Sequence, residues 1–234
     1  MRSLLLLAAL LLGVTPAFAQ ADTLQIVPGD GALVTDWIAP GTRTYTLRLV
    51  QPMQQNVGTT TETISVEGDE VVRVSVLSIP MQGMEQRDSL RAVAATLAPR
   101  YNRSTGGAAD VSLEFMDEGV AGTATPRGQS TETIMEMTDA PVFDGSWVGE
   151  IAQSLPFAEG LVATVPVFTA QGGLTEAVLT VTGQETVGER TGWTVEIDLG
   201  PQTLTQVVDV ETREVLVLRL SPQPGVVIEV TPAD

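Results

Sequence analysis

Past residue 40 the chain alternates. Apolar side chains fall on every second position in segment after segment, with Thr and Val recurring throughout. A period of two puts one face against a core and the other in water, which is the habit of a half-buried β-strand. Tyr45, Leu47 and Leu49 share a face in 42–53; Ile64 and Val66 do so in 58–67, and Val72, Val74 and Val76 in 70–79. Further strands are expected at 85–93, 100–104, 110–116, 119–125, 131–137, 160–168, 174–185, 192–199, 203–211, 213–221 and 226–231. Their links are short and rich in turn formers, among them Gly68-Asp69, Pro126-Arg127-Gly128, Gly188-Glu189 and Gly200-Pro201. Links of that length join antiparallel neighbours.

One segment departs from the period. In 144–155 the apolar residues Trp147, Val148, Ile151 and Leu155 fall at helical spacing. Asp144 or Ser146 is suited to cap its start, and Pro156 stops it. A single helix covers only part of a sheet this large, so the sheet must close on itself or curl. The expected fold is therefore mostly β: a large curved antiparallel sheet, an open half-barrel wrapped around one short helix. It occupies 40–234 as one domain, after an N-terminal extension at 20–39.

Residues 1–19 read as a cleavable signal peptide. Arg2 supplies the positive charge, Leu4 to Val14 the apolar run, and Ala17-Phe18-Ala19 the small-x-small pattern that places the cut between Ala19 and Gln20. The apolar run is shorter than a bilayer span. No cysteine stands at the cut to carry a lipid, so the expected location is the periplasm, free of an anchor and without stable membrane insertion.

Composition narrows the chemistry. The chain has 29 acids against 12 bases, all of them Arg, for a net charge of -17, and it contains no Cys and no His. Such acidity disfavours nucleic acid, whose phosphates call for a basic patch. Without Cys, His or Lys the chain has no thiol nucleophile, no Ser-His-Asp triad and no Schiff-base amine. Carboxylates gather at Glu67, Asp69 and Glu70, at Asp117 and Glu118, and at Asp209, Glu211 and Glu214. All three groups fall at expected turns and none has the spacing of a calcium loop. No catalytic residue, metal or cofactor is expected.

The order of segments resembles exported bacterial proteins of the domain of unknown function 3108 type, and through them the lipoprotein carriers LolA and LolB. The residues that carry the resemblance are Arg87-Asp88-Ser89-Leu90, Ala95-Thr96-Leu97-Ala98-Pro99, Tyr101-Asn102-Arg103 and Leu113-Glu114-Phe115. Gly119-Val120-Ala121-Gly122, Pro141-Val142-Phe143-Asp144 before the helix and Leu155-Pro156-Phe157 after it continue the pattern. Gly183-Gln184-Glu185 and Arg213-Glu214-Val215-Leu216 complete it. The resemblance implies the half-barrel and a place in the cell envelope, and it implies no catalytic residue.

Two sets of residues are candidates for binding. The helix face Trp147, Val148, Ile151 and Leu155, with Phe157 and Trp193, is expected to line a cavity for an apolar ligand such as a lipid. Arg87 and Arg91 are suited to contact an anionic head group. The leading expectation is a soluble envelope protein that binds a hydrophobic molecule without chemistry. The alternatives are a structural module that meets an envelope protein and, behind it, a carboxylate-based hydrolase.

Overall fold

The computed structural model describes residues 23–200 and 202–233. The signal peptide read at 1–19 lies outside them. The alternating segments form two antiparallel meanders. After a two-residue strand β1 (Leu24–Gln25), the first meander runs through β2 (Gly41–Gln51), β3 (Gln55–Glu67), β4 (Glu70–Ile79) and β5 (Met84–Val93). It continues with β6 (Pro99–Thr105), β7 (Ala109–Met116), β8 (Gly119–Pro126) and β9 (Glu132–Met137). Then come β10 (Phe143–Asp144), a 3-10 turn at Gly145–Trp147 and the helix α1 (Val148–Gln153). The second meander is β11 (Val162–Thr169), β12 (Gly173–Val187), β13 (Arg190–Asp198), β14 (Thr203–Asp209), β15 (Val215–Gln223) and β16 (Val226–Pro232). Among the described residues no helix is long and apolar enough to cross a membrane.

Antiparallel pairing of β16 with β2 joins the meanders into one 16-stranded sheet, with β9 at one edge and β11 near the other. β1 and β10 extend the β11 side as two short parallel pairs. The sheet stays open, but it rolls far enough for its ends to overlap. Phe168 is next to the inward-facing Val167 on β11, so it points from the outer face. It packs on Leu113, Phe115 and Val120, which belong to the inner face of β7 and β8. One end of the sheet thus lies inside the other. Bulges sharpen the roll: the β2–β3 register slips after Leu47, opposite Gly58, where an added Cβ would run into the carbonyl oxygen of Ser78.

The main core fills the concave side around the helix. Trp147, Ile151 and Leu155 meet Val165 and Val167 of β11, Leu179 of β12 and Val195 of β13, all of them buried. The segment before β2 belongs to the same body, since Ile26 and Leu33 are buried in that core and the Trp37 Nε1–H donates to Ser154 Oγ at 3.1 Å. The inner face of β4 differs from the one expected. Val71, Arg73 and Ser75 pair across with inner-face residues, while Val72, Val74 and Val76 face outward. The Val triplet belongs to the convex side because Arg73 is needed inside, where the helix supplies its partner.

Candidate functional site

The segment from Asp144 to Gln153 divides the concave side into two cavities. Asp144 accepts from the Ser146 N–H at 2.8 Å and starts the 3-10 turn. Its far end is held by Arg213, whose backbone adopts φ 60° and whose Nη1 donates to the carbonyls of Gln153 (2.7 Å) and Leu155 (2.9 Å). The Gln153 carbonyl is an orphan acceptor of the helix C-terminus and the Leu155 carbonyl follows just beyond it, and a cation suits that end of the helix dipole.

The larger cavity, about 590 Å³, is a cleft between the overlapping ends of the sheet. Gln86 and Asp88 of β5, Asn102 and Ser104 of β6, and Val111 and Leu113 of β7 form one wall. Thr169, Ala170 and Thr175 of the β11–β12 hairpin, with Leu199, form the other, and Asp144 and Ser146 lie at the helix side. Both wall strands owe their polarity to a change of residue type along one face. On β5 the inward positions run Gln86, Asp88, Leu90, Ala92, so the apolar half covers the core and the polar half faces the cleft.

The smaller cavity, about 220 Å³, lies across the helix under β2–β4 and β14–β16, lined by Tyr45, Glu62, Arg73, Val148, Glu150 and Gln206 among others. Here Arg73 is ion-paired with Glu150 and lies 3.8 Å from Glu62. Its Nη2 donates to the Ser146 carbonyl at 2.8 Å, and its guanidinium stands 5.2 Å from the centre of the Trp147 ring. Burial works against the charge of Arg73, but Glu150 and Glu62 outweigh it and hold its pKa up. Burial pushes the Glu150 carboxyl up to about 7 despite the pull of Arg73. Burial, reinforced by Glu62, likewise pushes the Tyr45 hydroxyl up to about 12.

The two cavities meet at Ser146, which lines both and accepts from Asn102 Nδ2 at 3.3 Å on its hydroxyl. Five buried side-chain atoms have no hydrogen-bond partner among the described residues: Asn102 Oδ1 and Asp144 Oδ2 at the larger cavity, Arg73 Nε and Glu150 Oε2 at the smaller, and Trp147 Nε1 in the core between them. Buried polar atoms are nearly always paired, so the unpaired oxygens of Asn102 and Asp144 in one cleft are candidates for contact with a ligand. Burial also raises the Asp144 carboxyl, against the Ser146 N–H and the Asn102 amide that favour its charge.

The residues singled out from sequence are placed differently. Trp147, Ile151 and Leu155 are packed in the core, because a helix of under two turns is enclosed by the rolled sheet on every apolar side. Phe157 and Trp193 stack on each other at 6.0 Å against the same core. Val148 alone of the six borders either cavity. Arg87 and Arg91 face the convex side, opposite the cleft, and Arg91 is paired with Glu70 (2.8 Å) and Glu67 (3.1 Å). Sequence reading gave Asp88, Asn102 and Glu150 no site role and took Asp144 as a helix cap alone, which it is. The clue was available: each is a polar residue at an inward position of its element's own period.

A family model described as "Protein of unknown function (DUF3108)" matches residues 43–225. No curated protein matches the chain significantly. Among solved structures, the crystal structure of a beta-barrel-like protein of domain of unknown function DUF1849 from Brucella abortus is similar in fold, with a TM-score of 0.54 at 10% identity. The likeness covers 84% of this chain and 97% of that one.

Proposed function

We propose, for a chain that belongs to the DUF3108 family of proteins of unknown function, that it is an exported binding protein of the cell envelope whose cleft holds a small amphiphilic molecule without catalysis. The observation that carries this reading is the cleft of about 590 Å³ between the overlapping ends of the sheet. That volume falls in the range of small-molecule sites. Its walls combine apolar residues (Val111, Leu113, Ala170, Leu199) with polar ones, which favours an amphiphile over a purely apolar ligand. Export rests on the signal-peptide pattern of residues 1–19. Native mass spectrometry of protein purified from the periplasm tests it: a non-covalent adduct released on unfolding is expected. A bare chain that also takes up no amphiphilic dye overturns the reading.

A second reading rests on Asp88 and Asp144 facing one cleft. Asp144 is buried and shifted toward its protonated form, as a general acid is, while Asp88 is half-buried. Two carboxyls across a cleft are the apparatus of glycoside hydrolysis. Release of nitrophenol from aryl glycosides, abolished by Asp144→Asn, is the result this reading requires.

A further inference from the structure

Resting on the binding reading, we infer that the cleft is a site for a primary ammonium group on a short apolar chain. The inner end of the cleft is made of acceptors. Asn102 and Asp144 are both more than nine-tenths buried, and each carries an oxygen, Oδ1 and Oδ2, with no partner among the described residues. The Asn102 amide nitrogen donates to Ser146 at 3.3 Å, and its pull on the Asp144 carboxyl leaves Oδ2 without a partner at hydrogen-bonding distance. Asp88 adds a second carboxylate to the same walls, its oxygens held by Gln86 Nε2 at 3.1 Å.

Among the described residues no Arg lines the cleft. Arg73, whose charge reaches Asp144 from across the helix, is itself engaged with Glu150 and the Ser146 carbonyl. What these oxygens lack is therefore a donor, and a positively charged one offsets the burial that raises the Asp144 carboxyl, with Asp88 as a second acid in the same cleft. A compact ammonium brings three donors and one positive charge, matching acceptors that arrive from β5, β6 and the helix side. A bare divalent cation fits less well, because no group of three or more Asp and Glu converges among the described residues. The chain's net charge of -17 attracts such a ligand before contact. Val111, Leu113, Ala170 and Leu199 give its alkyl part an apolar wall.

Calorimetric titration of the purified chain with octylammonium, octanoate and octanol tests this. Octylammonium is expected to bind, octanoate not, and octanol more weakly than the amine. Asp88→Asn is expected to weaken octylammonium by about tenfold or more, as losing one charge-assisted contact does. Glu85→Gln, an equal charge change on the exposed face of the same strand, is expected to leave binding unchanged. Asp144→Asn, which retains a capping oxygen, is the second variant, with its unfolding curve recorded beside the titration. Preferential binding of octanol or octanoate overturns the ammonium assignment and leaves the cleft as a binding site. Equal weakening by Asp88→Asn and Glu85→Gln reduces the effect to general charge attraction and overturns the assignment as well. Failure of all three probes to bind overturns the assignment and counts against the binding reading.

Discussion

Two acids in this protein are driven in opposite directions, and the contrast predicts how stability follows pH. Glu150 is pushed by burial from its ordinary value to about 7. Between about 4.5 and 7 the folded chain therefore holds a proton that the unfolded chain has released, so this group's contribution to stability falls as pH rises through that window. Urea unfolding at pH 5 and at pH 7.5 is expected to show the fall, and Glu150→Gln to flatten it. Asp209 is the converse. Burial raises its pKa, but the N–H groups of Thr212 and Glu211 and the guanidinium of Arg190 prevail and hold it at about 2. Its folded value lies below its unfolded one, so its contribution is present above about 4 and is lost as pH falls toward 2. Asp209→Ala, which strips the β14–β15 turn of these bonds, is expected to cost about 2–3 kcal/mol at neutral pH. Thermal unfolding measures that loss.

At the scale of elements, the helix is too short to persist by itself and depends on what holds its ends. Arg213 closes the C-terminal end from a left-handed backbone conformation. Arg213→Ala is expected to lower stability by about 2 kcal/mol. Arg213→Gly, which loses the same bonds but relieves the backbone, is expected to lose about 1 kcal/mol less; denaturant midpoints separate the two. The strands themselves were legible in the sequence because their alternation is local and their turns carry Gly, Pro and Asp. The helix was legible too, although its first turn is 3-10. β1 and β10 were not legible, since two-residue parallel pairs with β11 leave no period and depend on residues far along the chain. The candidate site was half legible for a related reason. Reading the helix face as a pocket wall followed its hydrophobicity, whereas the cleft is set by polar residues at inward positions, Gln86 and Asp88 on β5 and Asn102 and Ser104 on β6.

The whole molecule is a sheet rolled past itself, and the cleft exists because its two ends overlap without pairing. That overlap is held by Phe168, whose ring leaves the outer face of β11 and enters the inner face of β7 and β8. Its truncation to Ala is expected to cost about 3 kcal/mol. Faster amide exchange in β7–β9 than in β12–β14 is the accompanying sign that the outer end has loosened. The proposed binding surface lies at the overlap, because Trp147, Ile151 and Leu155 of the helix face are covered and the cavity beside Val148 is much the smaller of the two. A single substitution separates these places. Ser104 faces the cleft from β6, and Ser104→Trp fills it without touching the main core. Native mass spectra of wild-type and Ser104→Trp protein from the same periplasmic preparation decide between them: an adduct is expected on the wild type that the variant lacks, and an adduct retained equally by both contradicts binding in the cleft.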